Sequence, residues 1–255
     1  RPTQVEPEIK GVVLYRGHSP FVSEGDAEFV VLLTFQSDNR KTGDMAQLWL
    51  LAENESPLEA RKLGLHAIVC GDCPVVSLCY VNLAHRPRTL YEAYTAGKYP
   101  EAAPSVYEPV IASKGVRFGA YGDPVLLPLW LVERLAEVSE GCYTGYTHQW
   151  RRPEYQGYRP YFMASCETLE DTRLAESMGW RWYMVTNEAA VPGAVLCPHQ
   201  NTQLTQLVTC NTCWACNGAN RAIGARQRVS IIAHPTGHNG AAARWERKLQ
   251  LPIRS

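Results

Sequence analysis

The chain has 255 residues, 45% hydrophobic and 20% charged, and its lysines plus arginines equal its aspartates plus glutamates at 25 each. That is the composition of a packed globule; it excludes a disordered chain, and the balanced charge gives no global argument for binding nucleic acid or a membrane surface. No run approaches the ~18 apolar residues of a membrane span, and Arg1-Pro2-Thr3-Gln4 has no apolar signal-peptide core, so no membrane contact and a cytoplasmic setting are expected.

In chain order, residues 11–15, 29–35 and 47–51 are short β-branched and apolar runs that predict strands, with a polar loop at 37–44. Ser56-Pro57-Leu58-Glu59 predicts a helix start, with a capping box and proline at the first helical position, and Gly64 a stop. Residues 67–69 read as a strand running into Cys70. Further strands are expected at 116–121, 142–146, 161–164, 182–185, 194–196 and 230–233, with helices at 126–139 and 167–178. Alternation of short apolar strands with helices predicts an α/β fold with a mostly parallel sheet, whose functional groups collect at the carboxyl ends of strands. The expected organisation is one α/β domain over residues 1–255. Residues 1–55 form its strand-rich N-terminal part and residues 190–255 a cysteine-rich C-terminal part.

Nine cysteines without a secretion signal favour metal ligands or catalytic groups over disulfides. Cys70, Cys73 and Cys79 form a C-x2-C-x5-C pattern, and Gly71 and Pro74 let the loop curl. Three thiolates suit a zinc site with a borrowed ligand or a cubane with one open iron; the bland alternative is three buried cysteines. Cys210, Cys213 and Cys216 form a C-x2-C-x2-C run of iron–sulfur type, with Cys197 as the expected fourth ligand. A zinc ribbon is the alternative. Both groups can also share one centre. Cys142 and Cys166 are isolated and expected to be buried free thiols. His85, His199, His234 and His238 are read as structural.

Gly119, Gly122 and Asp123 end a strand. They allow a small-molecule cofactor to approach the backbone, with Asp123 accepting from an amine or hydroxyl; the alternative is a tight turn with a helix cap at Asp123. Residues 144–152 can bind an anion or stack a base, or simply end a strand in a charged turn. Arg221, Arg226 and Arg228 read as a solvated face, and Trp180, Trp182 and Tyr183 as core.

Six motifs together resemble the bacteriophage "gene product 88" family over roughly residues 40–235. They are Met45-Ala46-Gln47-Leu48-Trp49, Cys70-Gly71-Asp72-Cys73-Pro74, Cys79-Tyr80-Val81-Asn82, Gly119-Ala120-Tyr121-Gly122-Asp123-Pro124, Thr144-Gly145-Tyr146-Thr147-His148-Gln149-Trp150 and Cys213-Trp214-Ala215-Cys216-Asn217-Gly218. This resemblance implies a phage origin and action inside the infected host cell. Cys79-Tyr80 and the Gly119–Asp123 stretch also have a fainter likeness to radical S-adenosylmethionine (SAM) enzymes, whose usual spacing is C-x3-C-x2-C. That likeness implies a partial or complete parallel α/β barrel, a SAM cofactor at Gly119, Gly122 and Asp123, and radical chemistry or a relative that has lost it. The expectation is therefore a protein with one or two [4Fe–4S] clusters. Its alternative is a zinc-stabilised protein that engages a host protein or nucleic acid.

Overall fold

The structure is a computed structural model that describes residues 9–23, 25–201, 208–219 and 230–233. His234, His238, Arg221, Arg226 and Arg228 lie outside the described residues. Among the described residues, two five-stranded sheets form the scaffold.

The first sheet contains β1 (Gly11–His18), β2 (Glu28–Thr34), β3 (Ala46–Ala52), β4 (Val116–Tyr121) and β5 (Tyr143–Thr144), in that order. β1, β2 and β3 are antiparallel, whereas β3, β4 and β5 run parallel. The second sheet is wholly parallel. It contains β6 (Tyr146–Thr147), β7 (Met163–Cys166), β8 (Trp182–Val185), β9 (Ala194–Leu196) and β10 (Ser230–Ala233), in the order β6-β7-β8-β10-β9. Only Gly145 separates β5 from β6, and its carbonyl accepts the Met163 N–H at 3.0 Å. One stretch of chain thus pairs with β4 on one side and β7 on the other.

Every residue of β3 is buried, which explains its unbroken apolar run: a strand covered on both faces does not alternate. Helices α1 (Pro57–Lys62), α2 (Ala67–Cys70), α3 (Arg86–Thr95) and α4 (Pro104–Lys114) pack against it. α5 (Leu129–Val138) lies on α4 and buries Leu131, Val132, Leu135 and Ala136 at helical spacing. α6 (Leu169–Ser177) covers β7 and β8, and α7 (Cys210–Cys213) is a single turn. One apolar core runs from Val12 to Ile232. A smaller cluster of Met163, Cys197, Cys216, Ile231 and Ala233 stands apart from it. Among the described residues no helix is long and apolar enough to cross a membrane.

The expected α/β class and the mostly parallel pairing are present. Ser56 caps α1 as its sequence predicts, accepting the Glu59 N–H. Residues 67–69 correct the reading: they are helix, not strand. A three-residue apolar run carries no period, and the slot beside β4 is already taken by β3. The strand expected at 161–164 lies two residues later, at Met163–Cys166. Residues 86–114 carry two helices to which the sequence reading assigns nothing.

Candidate metal centres

The first cysteine group forms at the C-terminal end of α2. Gly71 follows Cys70 with φ of 56°, a left-handed value that turns the chain back, and a Cβ there would meet the Gln149 amide at 2.7 Å. Cys70, Cys73 and Cys79 then face one another closely enough for their charges to interact. Burial first, then Cys79, Cys73 and Asp123, push the Cys70 thiol far above its ordinary range. Burial also raises Cys79. The Tyr121 hydroxyl donates to Cys70.

The strand ends beside this loop supply its other neighbours. The Asp123 N–H donates to the Val69 carbonyl at 2.7 Å, which fixes the end of β4 against α2. Asp123 is 5% exposed, and its carboxylate accepts the Thr147 hydroxyl, the His148 N–H and the Val125 N–H. The cap-and-turn role is therefore present, and the carboxylate is engaged by protein donors. Gly119 and Gly122 have φ of 67° and 82°. Added Cβ atoms would strike the Gly122 carbonyl at 2.8 Å and Leu50 Cβ at 2.6 Å, so chain packing accounts for both glycines. His148 Nδ1 stands 3.5 Å from Cys73 Sγ, and its Nε2 is 3.3 Å from Glu167 Oε1. Burial alone would lower His148, but Cys73 and Glu167 outweigh it and raise the imidazole to about 10. Gln149 is 1% exposed, and its Oε1 has no hydrogen-bond partner.

The second group is assembled from two stretches of chain, Cys197 and the run from Cys210 to Cys216. Cys197 follows β9 and donates its N–H to the Ile232 carbonyl at 2.7 Å. α7 carries Cys210 and Cys213, capped by Thr209. Cys210 and Asn211 donate backbone N–H groups to the carbonyls of Lys41 and Thr42, so the polar loop at 37–44 holds α7 in place. Trp214 ends the turn in a left-handed conformation, φ 53°, and leads to Cys216. All four cysteines line one cavity of ≈ 20 Å³ together with Lys41, Thr144, Tyr146 and Trp214. The Tyr146 hydroxyl donates to Cys216, whose thiol burial pushes up to about 12. Burial raises Cys210, against the pull of Lys41 and Arg117. Tyr183 is the strongest influence raising Lys41, followed, beyond an opposing burial effect, by Cys197, Cys210 and Cys216.

Two cations, the buried Arg117 and the half-buried Lys41, and two tyrosine donors therefore serve the cysteines. Lys41, Arg117 and Glu167 are residues that sequence reasoning missed, and Tyr121 and Tyr146 stand in motifs it singled out without assigning them to the cysteines; a lysine in a polar loop carries no signal of what will pack on it. β4 links the groups: Arg117, near its start, lies by Cys210, and Tyr121, its last residue, reaches Cys70. Tyr80, next to Cys79, accepts from the Arg117 guanidinium at 2.5 Å. Cys166 is buried and Cys142 half-buried, and all nine cysteines are free thiols. Among the described residues, no three His, Cys, Asp or Glu side chains converge closely enough to hold a metal ion in their present positions.

Compared with protein-family models, curated proteins and solved structures, the chain has no significant match to any.

Proposed function

We propose that the chain is an iron–sulfur protein of phage origin acting in the infected cell. In this reading Cys70, Cys73 and Cys79 hold one [4Fe–4S] cluster, and Cys197, Cys210, Cys213 and Cys216 hold another. The observation that carries the proposal is the second group: four cysteines from two separate segments, Cys197 and the run from Cys210 to Cys216, line a single cavity, with Lys41 and Arg117 beside them. Four thiolates around a cluster leave a net negative centre, which the nearby cations offset. Donors to sulfur such as Tyr121 and Tyr146 tune such centres. The run of parallel strands passing through Gly145 supports a partial barrel as the frame.

Zinc is the second reading, favoured at the Cys197 group by the cavity's size. A space of ≈ 20 Å³ takes one ion, whereas a cubane needs the thiols to swing outward. A zinc-stabilised protein engaging a host protein or nucleic acid would then be the function. The SAM reading of Gly119, Gly122 and Asp123 needs an acceptor free for the ligand's amine, and Asp123 has three protein donors on its carboxylate. Anaerobic purification followed by iron, acid-labile sulfide and zinc quantification per chain tests the proposal. Iron and sulfide in equal amounts support it; stoichiometric zinc in a colourless protein supports the second reading. A protein without bound metal overturns both.

A further inference from the structure

We infer that the face formed by the polar loop at 37–44 and the segment from Tyr80 to Arg88 binds single-stranded nucleic acid, with Tyr80 stacking on a base and Arg40 and Arg86 meeting phosphates. The inference goes beyond the metal reading and does not depend on it: it assigns a partner to a surface that holds whichever metal the cysteines take.

The fixing of Tyr80 is the first argument. Its ring is 62% exposed, yet the Arg117 guanidinium, itself 8% exposed, donates to its hydroxyl at 2.5 Å. Asn82 shapes the chain that follows. Its side chain accepts the Ala84 N–H at 3.1 Å and its carbonyl the His85 N–H at 3.2 Å. An aromatic ring is thus held out to solvent in one orientation, so a base that stacks on it has little further ordering to impose.

The charge around the ring is the second argument. Arg40 is exposed and Lys41 half-buried, and neither has an ion pair among the described residues. Arg86 is exposed, and its contact with the solvent-exposed Asp38 stretches to 3.9 Å. That contact also ties the start of α3 to the 37–44 loop, so Arg40 and Arg86 border one face. The loop's other carboxylate, Asp44, is taken up by Lys114 at 2.8 Å. Beneath the face, Arg117 lies under Tyr80, and the Lys41 ammonium stands 5.9 Å from the centre of the Tyr183 ring. Tyr183 also interacts with Arg117, so the two cations meet at one place. A single strand offers the complement of this surface: phosphates along its backbone and unpaired base faces between them. The balanced charge of the whole chain leaves a local basic face of this kind open.

The neighbours of Tyr80 favour nucleic acid over a protein partner. Ser77, Asn82, Ala84, His85 and Arg86 are exposed, as are Asp38, Asn39 and Arg40. These are polar, charged or small, whereas the middle of a protein interface is depleted of charge and closes apolar area around its aromatic anchors.

The test follows fluorescence anisotropy of short fluorescein-labelled oligothymidylate and oligouridylate on addition of the full chain, across a range of salt. The variants are Tyr80→Ala, Tyr80→Phe, Arg40→Gln and Arg86→Gln, with Arg173→Gln on the exposed face of α6 as the matched loss of charge elsewhere. Urea midpoints check folding, and Arg40→Gln, in an exposed loop, keeps the test open if Tyr80→Ala is unstable. The expected result is salt-dependent binding by wild type, weakened roughly tenfold in Tyr80→Ala and largely kept in Tyr80→Phe. Arg40→Gln and Arg86→Gln each lower the slope of log affinity against log salt by about 0.7, and Arg173→Gln leaves it unchanged. Wild-type affinity in a folded Tyr80→Ala overturns the inference and leaves Tyr80 as a cap on Arg117. Equal weakening by all three arginine changes overturns it in favour of diffuse charge, and equal affinity for a duplex overturns the stacking role. No binding to either oligomer at low salt overturns it outright. None of these outcomes touches the metal reading, which stands or falls on metal content.

Discussion

Asp123 accepts the backbone N–H of His148 at 2.9 Å, and the same oxygen accepts the Thr147 hydroxyl at 3.0 Å. One buried side chain thus joins the end of β4, the end of β6 and, through its own N–H, the end of α2. Replacing it by alanine leaves three buried donors without an acceptor, and unsatisfied buried groups cost ~1–3 kcal/mol. Asp123→Ala is expected to lower unfolding stability by about that amount, read as a fall in the urea midpoint at unchanged slope. A midpoint equal to wild type would mean that the two strand ends and the end of α2 are held without it.

Gly122→Ala is expected to be more damaging than Gly97→Ala, although both glycines have positive φ. At Gly97 an added Cβ meets nothing within 4 Å, so only the left-handed backbone opposes alanine, at ~1–2 kcal/mol. At Gly122 it would stand 2.6 Å from Leu50 Cβ in the fully buried β3, and overpacking adds ~1–3 kcal/mol. Thermal unfolding of the two variants side by side checks the difference.

Lys41→Met is expected to loosen the second centre and leave the first untouched. Lys41 interacts with Cys197, Cys210 and Cys216 from a half-buried position, where salt screens less than at the open surface. Metal release from the Cys197 group to a competing chelator should quicken by roughly tenfold, the equivalent of ~1.4 kcal/mol, while Lys41→Arg retains most of the protection. Equal release rates in wild type and Lys41→Met would show that the cation does not stabilise the bound state.

Asp171 links pH to the helix behind Glu167. Burial alone would raise its carboxyl. Hydrogen bonds from the Glu167 and Thr168 N–H groups and the Arg151 guanidinium outweigh it and hold the carboxyl below its ordinary value. A depressed folded-state value adds stability above the unfolded pKa of ~3.9 and loses it as pH falls through the folded value. The stability difference between wild type and Asp171→Asn is therefore expected to be full at pH 6 and to shrink steadily below pH ~4. Urea midpoints across that range check the sign.

The strands at Trp182–Val185, Ala194–Leu196 and Ser230–Ala233, the Ser56 cap and the α/β class are legible in the chain, because each depends on local period or local hydrogen bonding. So is the grouping of Cys70 with Cys73 and Cys79, and of Cys210 with Cys213 and Cys216, since short loops bring near neighbours together. Cys197 could be placed at a strand end for the same reason. The state of residues 67–69 was not legible, because a short apolar run fits either helix or strand and only the occupied slot beside β4 decides. Nor was the pairing of His148 with Cys73 and Glu167, which brings together residues 75 positions apart in one direction and 19 in the other. Contacts of that range leave no local period in the sequence. They are set where α2, β6 and β7 end on the same side of the sheet, and the order in which strands pair is a property of the folded chain alone.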